Sequence, residues 1–174
     1  MTTTTTAATD SPELVEKLSS LLDSFFNNCS TLKDARGLST ENMEAVYSVA
    51  YSLYTNGKYE DAHKIFQFLC TFDHLERKFW LGLGGCRQML KRYPQAVEAY
   101  AYAALLDIND PVAASRAADC HIAMGKLDEA ESALTAAVEF SRGKPEFEKI
   151  YERSSAMLEL VQKKLAENAA GATA

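Results

Sequence analysis

The chain has 174 residues, of which 47% are hydrophobic and 24% charged, with a formal net charge of −6. That length suits one domain or a short helical solenoid, and the acidic balance argues against a nucleic-acid or acidic-membrane binder. No apolar run approaches the roughly 18 residues that a membrane span needs. The start has neither the basic residues nor the apolar core of a secretory signal, so a cytosolic location is expected.

Residues 1–10 form a Thr-rich polar leader with nothing to bury, and are expected to be disordered. Ser11-Pro12-Glu13 reads as a helix start: a hydroxyl cap, a proline in the first turn, and an acid near the positive end of the dipole. This helix spaces Leu14, Leu18, Leu21, Leu22, Phe25 and Phe26 along one side. Two covers suit such a stripe, the first repeat of the same chain or a second copy in a homodimer. Residues 31–38 read as a connector that completes the segment 11–38, with Gly37 a helix stop and Ser39 the cap of the next helix.

From Met43 to Lys144 one pattern returns every 34 residues. Ala50, Gly84 and Ala118 form one small-residue column, and Ala62, Ala96 and Ala130 another. Phe66, Tyr100 and Leu134 form a large apolar column, and Gly57, Lys91 and Gly125 a turn column. That period and these columns predict an all-α fold of three tandem tetratricopeptide repeats within 39–144, at about 43–76, 77–110 and 111–144. The expected helix pairs are 40–56 with 59–72, 75–91 with 94–106, and 111–124 with 127–140. A helix over 145–168, carrying Phe147, Ile150, Tyr151, Met157, Leu158, Val161 and Leu165, is the expected cap of the last repeat. Residues 169–174 are expected to fray.

The first helix of each pair should line the inner surface of the solenoid. In repeat one Tyr47, Tyr51 and Tyr54 share a face. The corresponding positions are Lys78, Leu81, Gly85 and Gln88 in repeat two, and Ser115, Asp119 and Ile122 in repeat three, with Tyr59 starting the partner helix nearby. This predicts a groove with an aromatic end, a shallow middle and a mixed polar end. A tyrosine ring buries roughly 150–250 Å² while its hydroxyl still reaches a polar partner. The stripe has two readings, a client surface or ordinary core. Val46, Val49, Leu53 and Phe66 already supply core positions, which favours the first. Gly84 reads as a packing glycine, and Gly85 as a place where a peptide backbone comes close. Gln88, Arg116 and Asp119 are candidates to hydrogen-bond the amides of an extended client.

Certain residues exceed what a generic repeat requires. They include Phe66-Gln67-Phe68-Leu69-Cys70-Thr71-Phe72-Asp73-His74, Phe79-Trp80-Leu81-Gly82-Leu83-Gly84-Gly85-Cys86-Arg87-Gln88 and Leu106-Asp107-Ile108-Asn109-Asp110-Pro111. With Ala117-Ala118-Asp119-Cys120, and Thr31-Leu32 and Gly37-Leu38-Ser39, they resemble the class II chaperones of bacterial type III secretion, the SycD/LcrH-like translocator chaperones. The resemblance runs from about Leu14 to Val161 and departs at Val112-Ala113-Ala114, where the family often has aromatics. It implies a cytosolic bacterial protein that holds hydrophobic pore-forming translocators soluble and unassembled before export. It also implies a homodimer through the N-terminal helix, and a groove that takes an extended segment with spaced apolar anchors.

The residues offer no catalytic set. Cys29, Cys70, Cys86 and Cys120, and His63, His74 and His121, lack the spacing of a metal site, so neither metal nor cofactor is expected. Asp73 and Asp107 share a repeat position, which reflects a loop rather than an acid pair. The other reading of function is a repeat adaptor or regulatory scaffold that recognises a short peptide, including one from a transcriptional regulator. An enzyme subunit docked through its repeats is a third.

Overall fold

The computed structural model describes residues 16–17, 19–20 and 31–171. Residues 16–17 and 19–20 are helical. The leader, the stripe of Leu14, Leu18, Leu21, Leu22, Phe25 and Phe26, Cys29 and residues 172–174 lie outside the described residues. Among the latter every regular element is a helix: α1 (Leu32–Ala35), α2 (Thr40–Thr55), α3 (Tyr59–Phe72), α4 (Arg77–Met89), α5 (Tyr93–Leu106), α6 (Pro111–Ala123), α7 (Leu127–Ser141) and α8 (Glu148–Gly171). A short 3-10 turn, Pro145–Phe147, leads into α8.

Local chemistry places the starts. The Ser39 hydroxyl accepts from the Asn42 backbone N–H at 3.2 Å, while the Ser39 N–H donates to the Asn42 side-chain oxygen at 3.1 Å. Asp110 caps α6 by accepting from the Val112 N–H at 2.7 Å, with Pro111 in the first turn. Helices α3 and α7 open on acid pairs, Glu60-Asp61 and Asp128-Glu129, at their positive dipole ends.

The turn column has one geometry in all three repeats. Gly57 and Gly125 sit at φ 75° and 74°, and Lys91 takes the same left-handed conformation at φ 59°. In each case the next residue's N–H closes back on the helix: Lys58 to the Leu53 carbonyl, Arg92 to Arg87, and Lys126 to His121, at 2.8–2.9 Å. Lysine carries a Cβ where the other two copies have none, so the second turn is strained relative to its siblings.

From α2 onward each helix packs on the next, α1 touches α3, and α8 packs along α7 and reaches α6. The columns explain how. Ala50, Ala118, Ala62, Ala96 and Ala130 have no exposed surface, so the helices approach closely there. Phe66, Tyr100 and Leu134 are buried between successive pairs. A Cβ added at Gly84 would lie 2.6 Å from the Tyr100 ring, and one at Gly82 would collide with Phe66. Both glycines are therefore packing residues in a tightly filled interior. Cys70, Cys86 and Cys120 are buried in the same core. Burial pushes the Cys70 and Cys86 thiols up to about 12 and Cys120 to about 11.

Four details differ from the sequence reading. The connector 31–38 contains a helical turn, α1, because the Thr31 N–H and hydroxyl both donate to the Asp34 carboxylate at 2.9 Å. Lys33 then ties this turn to Asp73 at the end of α3, at 2.7 Å. Val49 is not a core residue: it is 54% exposed, and Met43 and Ala50 take the buried places on α2. Helix α4 starts at Arg77, after a turn at His74 and Leu75. Finally, α8 runs to Gly171, the last described residue, past the expected end at 168, since Ala169 and Ala170 are strong helix formers.

The strained turn gives a direct test. Changing Lys91 to glycine removes a left-handed Cβ clash and adds backbone entropy to the unfolded chain, for a net gain of about 0.5–1 kcal/mol. Urea unfolding should show a raised midpoint for K91G. A lowered midpoint would mean that the second turn stores no strain.

Candidate functional site

The inner helices α2, α4 and α6 enclose a cavity of about 260 Å³. Tyr47, Tyr51 and Tyr54 supply its α2 wall, and Lys78, Leu81, Gly82, Gly85, Gln88 and Met89 its α4 wall. Val112 and Arg116 close the α6 side, and Phe66 and Tyr100 reach it from the second helices of their pairs.

The three tyrosines differ in burial, with Tyr51 the most exposed. Tyr47 is half-buried, with ring centroids 6.0 Å from Phe66 and 5.8 Å from Phe79, and it joins the core edge. Tyr51 is 54% exposed and stacks on Tyr47 at 6.1 Å. Tyr54 is half-buried, edge-on to Tyr59 at 5.4 Å, and would sit about 3.4 Å from a Cβ placed on Gly85. The row is therefore divided between core packing and the cavity wall. One side of the aromatic row braces the core, and the other presents apolar ring surface to the cavity.

Burial raises the Tyr47 and Tyr54 hydroxyls above the usual tyrosine range, against the nearby charges of Lys78 and Arg116 respectively. They stay neutral donors and acceptors. The Lys78 ammonium pairs with the Glu44 carboxylate and lies 5.0 Å over the Tyr47 ring. Tyr100 donates its hydroxyl proton to the Gln88 side-chain oxygen at 2.7 Å, so that oxygen is already engaged.

Of the residues singled out from the sequence, Tyr47, Tyr51, Tyr54, Leu81, Gly85, Gln88 and Arg116 come together in this cavity. Tyr59, Asp119 and Ile122 do not line it. Tyr59 supports Tyr54 from behind. Asp119 is held by Arg153 of α8 at 2.6 Å, with its side chain 13% exposed, so it is a structural ion pair before any client amide arrives. Ser115, placed on the inner face by its spacing, is buried against Arg153 and Ser154. Ile122 belongs to a separate depression of about 390 Å³ with Leu127, Met157, Leu160 and Val161, under the last helix. The expected mixed polar end of the groove is thus largely covered by α8.

Phe66, Gly82, Met89, Tyr100 and Val112 also line the cavity and were not among the expected groove residues. Met89 follows Gly85 by one turn, so the α4 face could have been extended to it by spacing. Phe66 and Tyr100 read as pure core because the large column is buried; their edges nonetheless form the cavity floor. Among the described residues no group of three His, Cys, Asp or Glu side chains is placed to hold a metal ion.

Comparison with known proteins adds to this geometry. The tetratricopeptide repeat family matches residues 43–74 and, through a second pattern of the same description, residues 88–153. The chain is 43% identical to the low calcium response locus protein H of Yersinia pseudotuberculosis, over 82% of this chain and 85% of that protein. Among solved structures, PcrH of Pseudomonas aeruginosa, in complex with the chaperone binding region of PopD, is 44% identical. It covers 74% of this chain and 96% of its own, with a TM-score of 0.72. The Yersinia enterocolitica type III secretion chaperone SycD, in complex with a peptide of the translocator YopD, is 46% identical. It covers 72% of this chain and 96% of its own, with a TM-score of 0.70. Together with the repeat architecture, these relatives show that the chain belongs to the class II translocator chaperones of type III secretion, the tetratricopeptide SycD/LcrH-like family.

Proposed function

We propose that the protein binds an extended, apolar segment of a hydrophobic translocator in the cavity walled by α2, α4 and α6, and so keeps that client soluble and competent for secretion. The observation that carries this reading is the tyrosine row. Tyr51 stands half in solvent on a rigid helix, with Tyr47 and Tyr54 fixed beside it. Large rings that are already ordered lose little rotamer entropy when a partner covers them.

The task is thermodynamic. Occupying the groove lowers the free concentration of the client's sticky segment, and no bond need be made or broken. We place this work in the bacterial cytoplasm, before export. No described helix is long and apolar enough to cross a membrane. Two relatives support the nature of the client, PcrH with the chaperone binding region of PopD and SycD with a peptide of YopD.

The N-terminal stripe of Leu14, Leu18, Leu21, Leu22, Phe25 and Phe26 is proposed to join two copies of the client-free chain. An alternative dimer of SycD supports self-association in this family.

Co-expression tests the groove. Replacing Tyr47, Tyr51 and Tyr54 together by alanine should move a co-expressed translocator from the soluble fraction into inclusion bodies, while the chaperone itself stays soluble. Each deeply seated aromatic contact is worth about 1–3 kcal/mol of binding, so three losses should abolish a micromolar complex. A client that remains equally soluble would remove the tyrosines from the binding site. The dimer is tested by light-scattering mass: a chain lacking residues 1–30 should be monomeric at concentrations where the full chain is dimeric. A truncated chain that keeps its dimer mass would rule the N-terminal helix out of that role.

A further inference from the structure

The charges around the cavity do not cancel. Lys78 is answered by Glu44, and Arg153, farther along the inner face, is answered by Asp119. Arg116 stands exposed in the cavity wall without a carboxylate partner among the described residues. Among the described residues no aspartate or glutamate lines the cavity. Its field reaches the Tyr54 and Tyr100 hydroxyls, so the guanidinium is near the aromatic wall rather than at a distant rim. The pocket is therefore locally cationic within a chain whose net charge is −6. In a chain that is acidic overall, selection for an acidic client must act through contact at this point rather than through long-range steering.

We infer that Arg116 is the charge-selecting contact of the groove, and that the client segment it accepts carries an aspartate or glutamate one or two residues from an apolar anchor. The inference rests on the reading of this cavity as the client site.

The physical reason is desolvation. An apolar segment seated against Tyr54, Leu81 and Val112 strips water from the guanidinium beside them. With no counter-charge that loss is uncompensated. A carboxylate restores it through charge-assisted hydrogen bonds, for which arginine's planar fork is suited. The spacing follows from extended-chain geometry. Successive side chains alternate sides and rise about 3.3 Å per residue, so a neighbour one or two places from the anchor is the one within reach of α6. A lysine or arginine there would face Arg116 directly and be rejected.

Phage panning with a random 12-residue peptide library tests this on the full chain, on R116E and on the triple tyrosine-to-alanine variant. The intact chain should enrich apolar peptides with an acid beside the anchor. R116E should lose that acid and enrich lysine or arginine in its place. For one selected peptide, R116Q and an acid-to-glutamine change in the peptide should each weaken binding about tenfold. The two together should do little more than either alone, the sign of a direct pair. R116K, which keeps the charge but not the fork, should fall between. Apolar peptides that depend on the tyrosines but show no acid beside the anchor would overturn the role of Arg116 and leave the groove reading intact. Peptides captured equally by the triple variant would overturn the groove reading, and this inference with it.

Discussion

Everything in this molecule depends on how closely its helices can approach. At the crossing of each pair the chain has alanine or glycine: Ala50, Gly84 and Ala118 on the inner helices, and Ala62, Ala96 and Ala130 on the outer ones. With no bulk at those points, Phe66, Tyr100 and Leu134 can fill the space between one pair and the next. The inner helices then stand side by side, and the rings of Tyr47, Tyr51 and Tyr54 form a wall along the edge of the core. A groove is what remains when small residues set the spacing and large ones are left on the inner side. The cost of filling those sites would be high, since an overpacked core typically loses 1–3 kcal/mol per added side chain.

A second layer of order comes from polar contacts at about one repeat's separation. Glu44 with Lys78 and Glu60 with Arg92 join the first two repeats, Arg77 ties the start of α4 to the Asp110 cap of α6, and Asp119 with Arg153 joins the last repeat to α8. Surface pairs such as Glu60 with Arg92 add little stability, commonly less than about 1 kcal/mol. Their larger consequence is for the groove. They decide which charges on the inner face are spent within the chain and which remain for a partner. Because Lys78 and Asp119 are spent, Arg116 is, among the described residues, the cation that the cavity presents.

The fold was legible because four columns agreed in phase over three copies, and a repeat period is a long-range signal written into a local pattern. The aromatic wall was legible for the same reason: residues one turn apart on a helix share a face whatever the tertiary context. The far end of the groove was not. Ser115 and Asp119 carry no mark of being covered, because their partners Arg153 and Ser154 lie 34–39 residues away on a helix outside the repeat pattern. The turn α1 was missed although its signal, threonine followed three residues later by aspartate, stands in the sequence at Thr31 and Asp34. Val49 was misplaced because hydrophobicity alone does not say which of several apolar residues on one helix meets a neighbour.

The central claim is that client chain lies against the inner tyrosine wall rather than on the outer surface. A photo-crosslinking residue, p-benzoylphenylalanine, can be placed at Tyr51, which is 54% exposed in the cavity wall, or at Leu105 of α5, which is 76% exposed and lines no part of it. Irradiation of the complex with a co-expressed translocator should give a chaperone–client adduct from position 51 and none from position 105. An adduct from position 105 with none from position 51 would contradict the account.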